Sequence, residues 1–173
     1  MNSCKRFKDL YSKRHDRIVE AIYQKIRRYS DTSVKFIKRM AETAFPQLRT
    51  ELQQINNRKP DLLEIKSKEK ECEIIEVTVC FDLYMSQSYE SKARMYQQLK
   101  NILNRNGIKT NIRILCFGSL GTVHEDVRKN LRGLGLSSEE GKSTRKWCSV
   151  SNMICGNMIW RNRCKGIHGQ TEI

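Results

Sequence analysis

The stretch "RKPDLLEIKSKEKECEIIEVTVCF", Arg58 to Phe81, decides how the rest of the chain is read. Two apolar runs, "DLLEI" at 61–65 and "IIEVTVCF" at 74–81, flank a loop of Lys, Ser and Glu. That is the pattern of two strands joined by a polar turn. Each run carries an acid, Asp61 and Glu76, where burial favours none, because an ionised carboxylate is costly to desolvate without a partner. In an antiparallel hairpin, residues whose numbers share a constant sum face each other. Asp61 and Glu76 sum to 137, which centres the turn between Lys68 and Glu69. A symmetric turn therefore sets the two carboxylates side by side on one face. Two carboxylates within ~5 Å repel unless a proton or a cation lies between them. Paired hard oxygens suit Mg²⁺ or Mn²⁺, which keep waters and take phosphate oxygens as further ligands. The alternative is two acids facing water on an edge hairpin.

The next segment, "SYESKARMYQQLKNILNR" at 88–105, reads as one helix, with Ser88 near its start and Gly107 past its end. At 100° per residue, Tyr89, Tyr96, Leu99 and Leu103 fall within about 60° of Lys92. Lys92 is thus central in the apolar stripe, while Arg94 projects to the far side. A lysine there either snorkels to water or meets an acidic partner. The carboxylate pair on the preceding strands is such a partner. His15 repeats the pattern: on a helix over 14–29 it shares the stripe of Ile18, Ile22 and Ile26. A histidine on an apolar face is either a hydrogen-bonded core residue or a second-rank member of the site.

Outside these segments, 32–55 reads as helical with a break near Pro46, and "NIRILCFGSLG" at 111–121 as a buried strand entering a glycine turn. A short helix is expected over 124–136, a linker at "SEEGKSTRKW" and a last helix over 144–163. The order α-α-β-β-α-β-α-α predicts a single α/β domain of three layers, a small mixed sheet flanked by helices. Its parts are a basic helical N-terminal region (1–59), a core carrying the acids (60–121) and C-terminal helices (122–173).

The chain has 173 residues and a net charge of +14, unevenly spread. Residues 1–59 carry 15 Lys/Arg against 6 Asp/Glu, residues 60–140 carry 12 of each, and residues 141–173 carry 6 against 1. A neutral acidic centre with basic flanks fits a polyanion gripped from two sides. Arg14, Arg17, Arg58, Lys59, Arg94, Arg145 and Lys146 are the candidate phosphate contacts. No apolar run approaches the roughly 20 residues of a membrane span, and the first residues lack a signal-peptide pattern. Seven cysteines, an odd number with three in expected strands, read as reduced intracellular thiols. Cys148, Cys155, Cys164 and His168 are either buried small side chains or a zinc set that lacks the usual tight CxxC pair.

"PD…E-x-T" with a lysine on the following helix resembles a variant of the PD-(D/E)xK nuclease pattern. Thr78 stands where the pattern has its lysine, and Lys92 would take that role. Together with "RHD" at 14–16, "KPDLL" at 59–63, "YESKARMY" at 89–96, "FGSLG" at 117–121 and "IWRNR" at 159–163, the chain resembles the restriction-enzyme-like endonuclease domain of site-specific non-LTR retrotransposons. The resemblance implies a restriction-endonuclease-like core that nicks double-stranded target DNA with Mg²⁺ or Mn²⁺. It also implies Asp61 and Glu76 as metal ligands, catalytic roles for Lys92 and His15, a nuclear location, and a reverse transcriptase module with its RNA as partners. Two further readings remain open: a catalytically dead nuclease-fold domain that binds nucleic acid or protein, and a structure-selective nuclease of the Holliday-junction type.

Overall fold

The computed structural model describes residues 8–29, 34–37, 41–56 and 59–168. Arg58 lies outside these residues, as do the side chains of Cys164 and His168. The elements run α1 (Lys8–Tyr29), β1 (Val34–Ile37), α2 (Ala41–Ala44), a 3-10 turn at Pro46–Leu48, α3 (Arg49–Gln53), β2 (Leu62–Lys66) and β3 (Glu71–Cys80). A second 3-10 turn at Asp82–Tyr84 leads into α4 (Met85–Met95), followed by α5 (Gln97–Arg105), β4 (Lys109–Gly118), α6 (Asp126–Gly133) and α7 (Ser138–His168).

The four strands form one mixed sheet in the order β1-β2-β3-β4. β1–β2 and β2–β3 are antiparallel, whereas β3–β4 is parallel. The β2–β3 hairpin pairs Leu62 with Ile75 and Leu63 with Ile74, the register expected from the sequence. Its turn is centred on Lys68 and Glu69, and Lys70 takes a positive φ of 51° to close it. The parallel pairing needs a crossover between β3 and β4, and α4 and α5 supply it.

Side-chain alternation along the strands builds a different core on each face. Leu62, Ile75, Val77, Leu115 and Phe117 pack with Ile18 and Ile22 of α1, Val127 and Leu131 of α6, and Cys148 of α7. Leu63, Ile65, Cys72 and Ile74 pack on the other face with Phe45, Leu48, Leu52 and, from α5, Leu99 and Leu103. Helices therefore cover both faces, and the three-layer α/β arrangement is present.

Five local expectations are corrected. The segment 32–55 is not a broken helix: "VKFI" is a strand, and it covers the outer edge of β2. Four residues are too few for periodicity to tell strand from helix, and the pairing with β2 decides it. The helix expected over 88–105 begins at Met85 and breaks at Tyr96, whose φ of −93° and ψ of 4° separate α4 from α5. The strand over 111–121 runs Lys109–Gly118, and the short helix is confined to Asp126–Gly133. "SEEGKSTRKW" is not a linker but the start of the 31-residue α7. Its start is a capping box: the Glu140 N–H donates to Ser137 Oγ (3.3 Å) and the Ser137 N–H to Glu140 Oε2 (2.9 Å).

Leu99 is fully buried, whereas Leu83 is 83% exposed. Leu99→Ala is expected to cost about 2–5 kcal/mol in urea denaturation. Leu83→Ala is expected to stay within about 0.5 kcal/mol of the parent. Equal effects would contradict the placement of the second core.

Candidate active site

β3 outruns β2. The last hairpin pair is Leu62 with Ile75, yet β3 continues to Cys80. Continued by one step, the register would set Asp61 against Glu76; by two, Pro60 against Val77. Proline has no N–H to donate. The Val77 backbone groups on that edge are satisfied by side chains instead. The Val77 N–H donates to Asp61 Oδ2 (2.8 Å), and the Val77 carbonyl accepts from His15 Nε2 (3.0 Å).

His15 reaches this point because α1 lays Ile18 and Ile22 on the sheet, one and two turns further along the same stripe. Its Nε2 also lies 3.2 Å from Asp61 Oδ2, and its Nδ1 lies 3.3 Å from Asp16 Oδ1. The carboxylate of Asp61 raises the His15 pKa to about 9 against the opposing effect of burial. At neutral pH the ring is therefore an imidazolium that donates from both nitrogens.

Glu76 lies on the opposite face of β3, toward α4 and the α4–α5 break. It is 4% exposed. Lys92 Nζ donates to its Oε1 (2.5 Å), and the Tyr96 hydroxyl donates to its Oε2 (2.8 Å). Burial pushes the Glu76 pKa up, and the nearby charge of Asp61 adds to this, while Lys92 and Tyr96 oppose it. Burial and the charge of Glu76 together push the Tyr96 phenol up, so it stays a donor. The centre is thus two carboxylates flanked by an imidazolium and an ammonium, with a phenol on the more buried acid.

Asp61, Glu76, Lys92 and His15 are therefore brought together. Tyr96 is the member that sequence reasoning did not single out, although it sits one turn from Lys92 on the same stripe. The basic residues divide. Arg17 is exposed with its guanidinium 5.7 Å from the Trp147 ring, Arg94 is exposed and 4.0 Å from Glu90, and Lys59 and Lys146 are exposed. Arg145 is half-buried, and Arg14 is buried. Cys148 is fully buried, and burial pushes its thiol up to about 12. Among the described residues no group of three His, Cys, Asp or Glu is arranged to hold a metal ion. None of their helices is long and apolar enough to cross a membrane. No family model matches this chain, and no curated protein matches it.

The ion pair on Asp61 makes a pH prediction. A histidine whose folded pKa is raised contributes stability that is complete below its unfolded value, near 6.5, and is lost as pH rises through about 9. NMR titration in EDTA should find the His15 ring titrating near 9. In Asp61→Asn it should fall back toward the ordinary range. An unchanged midpoint in that variant would separate His15 from Asp61.

Proposed function

We propose that the chain is a divalent-metal-dependent DNA endonuclease. The observation that carries the reading is the meeting of Asp61 and Glu76 where β2 leaves β3, with Lys92 on the second carboxylate. Burying two acids together has a cost that a structural role leaves unexplained.

The donor chemistry fits Mg²⁺ or Mn²⁺. Burial, and after it repulsion from Asp61, raise the Glu76 pKa; a cation between the acids relieves the repulsion, and both are hard oxygen donors. Asp61 and Glu76 would hold the ion, whose chemistry is to lower the pKa of a water and to draw charge from the phosphate. The protein's own part is positional. Tyr96 fixes one oxygen of Glu76. The Val77 N–H and His15 fix Asp61. Lys92, 30% exposed in its side chain, reaches from α4 to the site as an ammonium. There it would orient the attacking water or offset charge on the phosphorus oxygens. Hydrolysis forms a bond from water oxygen to phosphorus and breaks the bond from phosphorus to a deoxyribose oxygen, the water losing a proton and the leaving oxygen gaining one. The resemblance to retrotransposon endonucleases suggests that the leaving oxygen becomes the 3′-hydroxyl that primes reverse transcription. It also suggests a nuclear location and a reverse transcriptase module with its RNA as partners. The exposed Arg17, Lys59, Arg94 and Lys146 would grip the duplex by its phosphates, without choosing a sequence.

One observation favours a second reading. Both oxygens of Glu76 and one of Asp61 already have partners within the chain. A nuclease-fold domain that binds nucleic acid without cutting it would look the same.

A nicking assay on supercoiled DNA in Mg²⁺ separates the two. Asp61→Asn and Glu76→Gln are the informative variants; Asp61→Ala would orphan the Val77 N–H at about 1–3 kcal/mol. Both are expected to abolish nicking while the fold is kept. A parent protein that does not nick sinks the endonuclease reading, and nicking at the parent rate in either variant sinks this assignment of the active site.

Lys92→Met keeps the stem and removes the charge. It should fold, bind duplex DNA nearly as the parent does, and lose ~10²–10³ in turnover. Full turnover would reduce Lys92 to a counter-ion for Glu76.

A further inference from the structure

One feature of the centre is used neither by the fold nor by the carboxylate pair. Arg14, the neighbour of His15 on α1, is 7% exposed. Among the described residues no carboxylate pairs with it, and its Nε–H is buried without an acceptor. Its guanidinium carbon lies 5.4 Å from the Tyr11 ring. Desolvation lowers its pKa, as expected of a charge taken from water without an opposite charge.

The position of Arg14 gives such a group a use. It lines an open cleft of about 440 Å³ between α1 and the end of β3. The other walls are Tyr11, Ser12, His15, Asp16 and Val79. The acid of this set, Asp16, is exposed and lies against the His15 ring. His15 is the residue that holds Asp61. The cleft is therefore linked to Asp61 through His15, and the guanidinium in its wall has a buried Nε–H without an acceptor. A buried, unpaired guanidinium is destabilising in the empty protein and becomes favourable when an anion arrives. The fork of a guanidinium matches the oxygens of a phosphate.

We infer that the Arg14 cleft is a seat for one phosphodiester of the bound DNA strand, next to the phosphate held at Asp61 and Glu76. The inference rests on the nuclease reading for its substrate but assigns Arg14 a different task from the exposed cations. Arg17, Arg94 and Lys146 meet a phosphate in water, whereas Arg14 meets one from a largely buried position in the cleft wall. It therefore fixes where along the strand the reacting phosphate lies.

The test uses binding without cleavage. Duplex affinity is measured in EDTA across a salt series for the parent, Arg14→Met, Arg14→Lys and the exposed control Arg94→Gln. Thermal stability is measured on the same proteins. Arg14→Met is expected to melt at the parent temperature or above, since an unpaired buried charge is replaced by an apolar side chain. Its affinity should fall about 10- to 100-fold. Its log K against log salt slope should shrink by about 0.9. Arg14→Lys should be intermediate and Arg94→Gln close to the parent. Unchanged affinity and slope in Arg14→Met overturn the inference, as does a lowered melting temperature with affinity intact, which marks a structural arginine. If Arg14→Met does not fold, the parent decides: the Arg14 Nε–H NMR signal, assigned from Arg14→Lys, must move when duplex is added, and a static signal overturns the seat. A signal that moves with inorganic phosphate but not with duplex rejects the nucleic-acid assignment. Because no arm requires cleavage, failure of the nicking assay and failure of this seat are separate results.

Discussion

The two backbone groups of Val77 that face the departing end of β2 are the constraint on which the site depends. A buried peptide group must find a partner, and β2 does not supply one beyond Leu62. Asp61 accepts from the N–H and His15 donates to the carbonyl. One position along the strand, Glu76 is turned to the other face and is met by Lys92 and Tyr96. A single divergence of two strands therefore gathers side chains from α1, the hairpin, α4 and the α4–α5 break. The core packing on both faces holds those helices in the registers that this requires.

The charges at the centre are balanced locally. Asp61 is answered by His15, and Glu76 by Lys92 with a phenol in support. The balance comes from two helices on opposite faces of the sheet, so neither helix can shift without exposing a buried carboxylate to an uncompensated field. Buried Glu73 is paired in the ordinary way: Arg113 Nε reaches its Oε2 at 2.8 Å, and Asn111 donates to the same carboxylate. Arg14 departs from that habit.

Other tertiary contacts fix the far end of the sheet. Asp82, just after β3, accepts from the N–H of Leu120 and of Thr122, tying the segment after β4 to the segment after β3. Gly118 allows this approach, because a Cβ at that position would collide with the Asp82 carboxylate. Ser149 of α7 donates to the Gly121 carbonyl, which seats the long helix against the same segment. The expected glycine turn at 117–121 is thus a junction between β3, β4 and α7.

The sequence alone determined the hairpin register and the stripe on which Lys92 lies. Both are short-range matters: a polar turn fixes a constant sum of facing residues, and a helix repeats every 3.6 residues. It carries two further signals. The S-x-x-E at Ser137 to Glu140 marks the start of α7 inside what looks like a linker, and Pro60 marks where the hairpin stops donating. The tertiary structure alone decided that "VKFI" is a strand, since four residues form one only against a neighbour. It decided that the chain breaks at Tyr96, where no glycine or proline marks a boundary and the hydroxyl meets Glu76. It also decided that Arg14 is buried with no carboxylate beside it among the described residues. Burial and pairing depend on what the other helices bring, and residues far apart in the chain cannot announce that they will meet.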